Sequence, residues 1–248
     1  MAVLPEIGAP ARRALQNASI TKLEQLTRVT EAELLQLHGV GQKALVILRQ
    51  ALMDHGLAFR ALAVSGMDPD IRARLDDIRS GDVALQNKAY YFLLEITEKP
   101  VSWAYEAWDE LMEGLTHRDN HVRAISSQLL ANLAKSDPRG RILKDFDKLL
   151  AVTKDEKFVT ARHCLRSLWK VGTAGKKQQK ALLDGFKQRF EECQTEKNGT
   201  LVRYDIIQGL RNLYAGTSDE MVKETALSLI EVETDLKYRR KYAVVWKK

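Results

Sequence analysis

Apolar positions recur with helical spacing along nearly the whole chain, and this pattern predicts an all-α fold. Near the N-terminus, Ala11, Ala14 and Leu15 share one side of a helix over 11–18, with Arg12, Arg13 and Gln16 on the other. Leu23 and Leu26 follow, then Leu34, Leu35 and Leu37. Each set is preceded by a capping box, Thr21-x-x-Glu24 and Thr30-x-x-Glu33, in which hydroxyl and carboxylate satisfy opposing orphan amides. A fourth helix is predicted from about Gln42 to His55, with Gly56 as a left-handed cap and Ala44, Ile47, Leu48, Ala51 and Leu52 as its inner face.

The stretch 62–81 reads as a transition, broken at Ser65-Gly66 and restarted at Pro69. Beyond it an apolar face repeats. Leu85, Ala89, Leu93 and Ile96 recur as Val122, Ser126, Leu130 and Leu133. The same offsets return in Thr160, Cys164, Leu168 and Val171, and again in Val202, Ile206, Leu210 and Leu213. A helical face returning every ~40 residues predicts a two-helix solenoid of the HEAT or armadillo kind. Partner helices are expected over Trp103–Leu115, Ile142–Val152, Lys180–Cys193 and Met221–Val232. Asp119 with Val122-Arg123 resembles the turn aspartate and helix-start Val-Arg of HEAT repeats. Val202-Arg203 repeats the pair and Asp82 holds the equivalent turn position, whereas the third repeat carries Lys157 and Ala161 there.

The most informative local motif is Leu37-His38-Gly39-Val40-Gly41-Gln42-Lys43, a helix-hairpin-helix turn. Gly39 and Gly41 suit backbone angles closed to other residues and let a partner approach the main chain. The amides from Gly41 to Lys43 open a helix, where unpaired N–H groups and the helix dipole favour an anion. Together with Ala14-Leu15, Ile20, Leu26 and Thr30 to Leu35, this motif resembles the C-terminal domain of the bacterial RNA polymerase α subunit, over about residues 5–62. The resemblance implies contact with DNA through the first helix and the start of the last. Lys43 matches a DNA-contacting lysine of that family, and Gly41 its hairpin glycine. The family's groove-inserting arginine falls at Pro10, its helix-one asparagine at Arg13 and a contacting serine at Ala44. Sequence-tolerant phosphate binding, aided by Arg12 and Arg13, is therefore the expectation.

Composition narrows this further. The chain has 248 residues, a formal net charge of +6 and two cysteines, Cys164 and Cys193, without ligand spacing. A mild basic balance suits phosphate partners, and lone cysteines suit a reducing compartment. No segment reaches the roughly 18 apolar residues of a membrane span, and Met1 to Pro10 lacks a signal pattern, so the expected location is the cytoplasm with no membrane partner. On the second helices of the repeats, Arg162, Arg166 and Lys170 form a basic stripe, with Arg123, Arg203 and Arg211 on neighbouring helices. The stripe suits a phosphate backbone, while Arg123 and Arg203 fit the structural ladder of the repeats. The tail from Lys237 to Lys248 interleaves cations with Tyr238, Tyr242 and Trp246; it reads as a capping helix or as a stacking surface.

Other chemistry is sparse. Trp103, Tyr105 and Trp108 near Asp109 and Glu110 offer an aromatic cleft with an acid, an arrangement similar to that of HEAT-like alkylpurine DNA glycosylases. His117 and His121 flank Asp119 but straddle a turn. No catalytic triad, P-loop, metal set or cofactor motif is present. The leading expectation is a non-enzymatic DNA-binding protein: a hairpin domain over 1–62, a linker with a short helix over 63–81, and a repeat domain over 82–248. The Gly39, Val40, Gly41, Gln42 and Lys43 hairpin, Arg12 and Arg13 would hold the backbone. The repeats would supply a second nucleic-acid surface or dock a protein. A protein-binding scaffold and a repair glycosylase are the alternatives.

Overall fold

The computed structural model describes residues 3–59 and 67–247, and among them it is all-helical apart from an isolated bridge between Val3 and Lys22. Backbone contacts divide the chain into two units, 1–66 and 67–248. The predicted break at Ser65-Gly66 falls outside the described residues.

In the first unit, α1 (Ala9–Asn17) is followed by a 3-10 helix (Leu23–Arg28), α2 (Glu31–Leu35) and α3 (Gln42–Asp54). Leu15, Leu23, Leu26, Leu34, Leu48 and Leu52 are fully buried and form its core. The Thr30–Glu33 capping box forms as expected, with Glu33 N donating to Thr30 Oγ1 at 3.2 Å and Thr30 N to Glu33 Oε2 at 2.7 Å. The earlier box does not. Gln25, not Glu24, reaches back to accept from Thr21 N at 2.8 Å and Lys22 N at 2.9 Å, and the turn it starts is 3-10. Gly56 caps α3 at φ 68°, but the inner face of α3 is rotated from the expected one. Leu45 is buried with Ala44, Leu48 and Leu52, and Ile47 is exposed.

The second unit starts earlier than the repeat pattern suggests. The expected linker carries α4 (Pro69–Ile78), capped by Asp68, and its Leu75 and Ile78 are buried in the second core. Then follow α5 (Val83–Ile96), α6 (Ala104–Gly114), α7 (Asn120–Leu133), α8 (Arg141–Ala151), α9 (Phe158–Gly172), α10 (Lys176–Glu192), α11 (Gly199–Thr217), α12 (Glu220–Glu231) and α13 (Leu236–Trp246). Aspartates at positions 82, 119, 219 and 235 accept from first-turn amides and so start α5, α7, α12 and α13. Helices α5, α7, α9 and α11 pack each on the next, and α4, α6, α10 and α12 pack on this row. The expected repeating face is buried on α7, α9 and α11 throughout. On α5 it is not. Leu85 is exposed and Gln86 is buried in its place, because Gln86 Nε2 bridges Ile78 O and Asp119 Oδ2, both at 2.9 Å.

Buried ion pairs tie successive layers. Arg123 grips Asp155 bidentately (Nε–Oδ2 2.5 Å, Nη2–Oδ1 2.9 Å), and Arg203 Nη1 meets Glu233 Oε2 at 2.8 Å while its Nε donates to Phe190 O. Burial alone would raise the Asp155 carboxyl, but hydrogen bonds from Arg123 and the Lys157 amide outweigh it and hold the group below its ordinary 3.8. A carboxyl lowered in the fold stabilises it above the unfolded value, and that contribution fades as pH falls through the folded value. Asp155→Asn should therefore cost most in thermal midpoint at about pH 6 and progressively less towards about pH 3, which paired melts across that window will check.

Candidate functional site

The hairpin is built by one turn. Val40 N donates to Leu37 O at 3.0 Å, and Gly39, third in the turn, stands at φ 101°, where a type II turn calls for glycine. A Cβ on Gly39 would lie 2.9 Å from Pro10 O, so α1 and the hairpin abut through bare backbone. Val40 and Ala44 are buried between them. Gly41 differs from expectation. At φ −112° it takes ordinary extended backbone, and a Cβ there would meet nothing within 4 Å. It is the N-cap of α3 and supplies no side chain, so the first-turn amides have no side-chain acceptor. His38, Gln42 and Lys43 are exposed around this helix start, as are Arg12 and Arg13 on α1. Contact between α1 and the hairpin thus brings the expected residues of the first unit into one neighbourhood. The outward side of α3 also exposes Val46, Ile47 and Met53, which the sequence pattern did not flag.

In the second unit the basic stripe divides. Arg162 is committed to the buried Asp205 (Nε–Oδ2 2.6 Å, Nη2–Oδ1 2.9 Å), which raises its already high pKa. Lys170 Nζ meets Glu98 Oε1 at 2.8 Å and holds that carboxyl below its usual range. Arg166 is exposed and, among the described residues, has no carboxylate partner. Beside it, partial desolvation and the neighbouring Arg166, Arg162 and His121 push His163 below the usual imidazole value.

Arg166 sits in a run of cavities that share walls. One of about 250 Å³ and one of about 300 Å³ share Tyr90, Gln128 and His163. Arg166 joins the second to a cavity of about 400 Å³, which shares Tyr204, Gln208 and Asn212 with a fourth of about 450 Å³ reaching α13. The result is a groove crossing α5, α7, α9, α11 and α13. The aromatic and amide residues that line it are not singled out by the charge pattern of the sequence. Their signal is nonetheless present: Tyr91, Gln128, Arg166 and Gln208 each stand six residues after the start of the repeating face, one per layer.

The remaining candidates have structural roles. Trp103 and Trp108 are buried, and Trp108 Nε1 donates to Asp145 Oδ2 at 2.9 Å; Tyr105 pairs with Asp137. Asp109 pairs with Arg141, and Glu110 with Arg72 at 2.6 Å, so the expected aromatic cleft is a packed layer with its acids tied to arginines. Asp119 caps α7 and takes a contact from His121 at 3.3 Å, while His117 Nδ1 accepts from Asp119 N. Cys164 and Cys193 are buried, and burial pushes Cys164 up to about 12, so it stays a thiol. Tyr242 of the basic tail is fully buried with its hydroxyl on Thr200 O at 2.8 Å, and Trp246 packs at a tilt against Tyr214, so α13 packs as a cap with its aromatics inward. Lys248 lies outside the described residues.

The sequence matches no protein-family model and no curated protein. Among solved structures it is similar to two crystal structures of engineered proteins from the Northeast Structural Genomics Consortium. One is 18% identical with a TM-score of 0.46, covering 71% of this chain and 77% of that one. The other is 19% identical with a TM-score of 0.47, covering 72% and 79%. No helix among the described residues is long and apolar enough to cross a membrane.

Proposed function

We propose that this chain is a non-enzymatic DNA-binding protein whose first unit, a helix-hairpin-helix like that of the RNA polymerase α C-terminal domain, holds the phosphate backbone of duplex DNA. The observation that supports this most is the uncapped start of α3 at Gly41, with Lys43 exposed beside it and α1, bearing exposed Arg12 and Arg13, packed against the same turn through Gly39 and Pro10. Amides and cations of this kind recognise phosphate without reading base sequence. The second unit, a HEAT-like stack on this reading, is the platform that adds a further surface.

Salt dependence tests the reading. A fluorescent duplex titrated with the full chain should bind with an affinity that falls steeply as salt rises, by a slope of about 0.9 per phosphate contact. Lys43→Gln should lower the slope by about 0.9, and Lys43→Gln with Arg12→Gln and Arg13→Gln by about 2.7, with helix content unchanged by circular dichroism. No binding at low salt, or an unchanged slope in the triple variant, would reject the hairpin as the grip. One observation favours a second reading, protein docking: the exposed Val46, Ile47 and Met53 on α3. Capture of a partner that survives high salt and is lost in Val46→Asp would support it.

A further inference from the structure

The groove of the second unit carries an inference independent of the hairpin, because it is a different surface with different chemistry. Three cations without a carboxylate partner among the described residues line it, one per layer: Arg166 on α9, Arg211 on α11 and Lys241 on α13. Arg211 lies over the rings of Tyr214 and Trp246, at 6.0 and 5.8 Å, which holds the guanidinium in place without neutralising it. The one carboxylate in the lining, Asp205, is buried and already matched by Arg162. One aromatic ring, Tyr204, lies among the cations, and two more lie beyond Arg166. Tyr90 and Tyr91 are at the α5 end, Tyr91 with 70% of its surface exposed, and Tyr204 lies in both of the last two cavities. Amide side chains, Gln128 and Gln208 among them, fill the intervening positions.

We propose that this groove binds a single strand of nucleic acid, with its phosphates on Arg166, Arg211 and Lys241 and bases stacked on Tyr91 and Tyr204. Cations along a groove and exposed aromatic faces beside them are the two things such a strand needs from a protein. An amide both donates and accepts, so Gln208, whose Nε2 has one bond to Asn212, can match the open edge of a base, whereas Gln128 is held by Tyr90 Oη and Ala124 O and serves as wall. A duplex has its pairing edges occupied and its base faces stacked, and offers nothing to the tyrosines. An acidic peptide would use the cations but has no planar face for Tyr91. DNA and RNA strands share the recognised chemistry, and the test separates them.

The probes are labelled oligothymidylate and oligouridylate of about 12 nucleotides, titrated with the full chain by fluorescence anisotropy across a salt series. Binding of either supports the proposal, and the tighter of the two assigns the sugar. Arg166→Gln combined with Lys241→Gln, both exposed positions, should reduce the salt slope by about 1.4, at about 0.7 per contact on a single strand. Tyr91→Ala should weaken binding at least about fivefold through the loss of one stacked base. Lys43→Gln should leave single-strand binding unchanged, so the groove and the hairpin stand or fall separately. Groove variants that bind like the wild type, loss of binding in Lys43→Gln alone, or displacement of the strand by polyglutamate of equal charge as readily as by unlabelled strand would each overturn the proposal.

Discussion

Gly39→Ala and Gly41→Ala are expected to separate stability from binding in the first unit. At Gly39 an alanine must hold φ near 101° and place its Cβ against Pro10 O at 2.9 Å, and neither backbone can yield without parting α1 from the hairpin. The conformational term alone is worth about 1–2 kcal/mol, and with the contact about 3 kcal/mol is a fair expectation. In a unit of this size that lowers the midpoint by more than about 10 °C. All four tryptophans lie in the second unit, so their fluorescence will not see it. Hydrogen exchange followed by mass spectrometry will, as faster exchange confined to α1 and α3. At Gly41 the backbone is ordinary and the space beside it open, so alanine costs at most about 1 kcal/mol, the difference between glycine and alanine at an N-cap. Yet that open space is where the proposed phosphate would approach the α3 amides. Gly41→Ala should keep exchange within about fivefold of the wild type and lose duplex affinity about tenfold, roughly one charge-assisted hydrogen bond. Wild-type affinity in a folded Gly41→Ala would show that the amides are not the contact.

The two glycines illustrate how far the sequence was legible. Both were expected to need unusual angles, but the pattern Gly-Val-Gly cannot tell which one closes the turn; that depends on Pro10, which is distant in sequence and adjacent in space. The helices themselves were readable because their starts are written locally, in Thr30 with Glu33 and in the aspartates that cap α5, α7, α12 and α13. The repeating face was readable on α7, α9 and α11, where burial is set by neighbours on both sides, α13 standing beyond α11. It misled on α5, which has a row neighbour on one side only, so Leu85 stays exposed and the polar Gln86 is drawn inward by Ile78 O and Asp119. Charge was readable as composition but not as availability. Arg162, Arg166 and Lys170 are equivalent on a helical wheel, and only the fold brings Asp205 to the first and Glu98 to the third. Asp205 lies more than a repeat away in sequence, on the next helix of the row.

That distinction leads to the other large effect, in the stripe itself. Arg162→Ala should unfold the second unit more readily, whereas Arg166→Ala should not. Asp205 is buried to 2% exposure, and both its oxygens accept from Arg162 at 2.6 and 2.9 Å. Removing the guanidinium leaves a buried carboxylate without its counter-charge between α9 and α11, two helices on which the row depends. Breaking such a pair costs about 3–5 kcal/mol, and the lower end applies because Arg162 keeps a third of its own side chain in water. Urea melts followed by tryptophan fluorescence should show the midpoint fall accordingly, with the slope unchanged. A double variant, Arg162→Met with Asp205→Leu, should recover part of the loss, since two apolar side chains need no counter-charge. Arg166 has no such partner, so Arg166→Ala should melt within about 0.5 kcal/mol of the wild type. If instead Arg162→Ala is silent and Arg166→Ala destabilises, the pairing of Arg162 with Asp205 contributes nothing. Arg162 would then rejoin Arg166 as a cation free to meet a ligand, and the groove would carry one more phosphate contact than assigned to it.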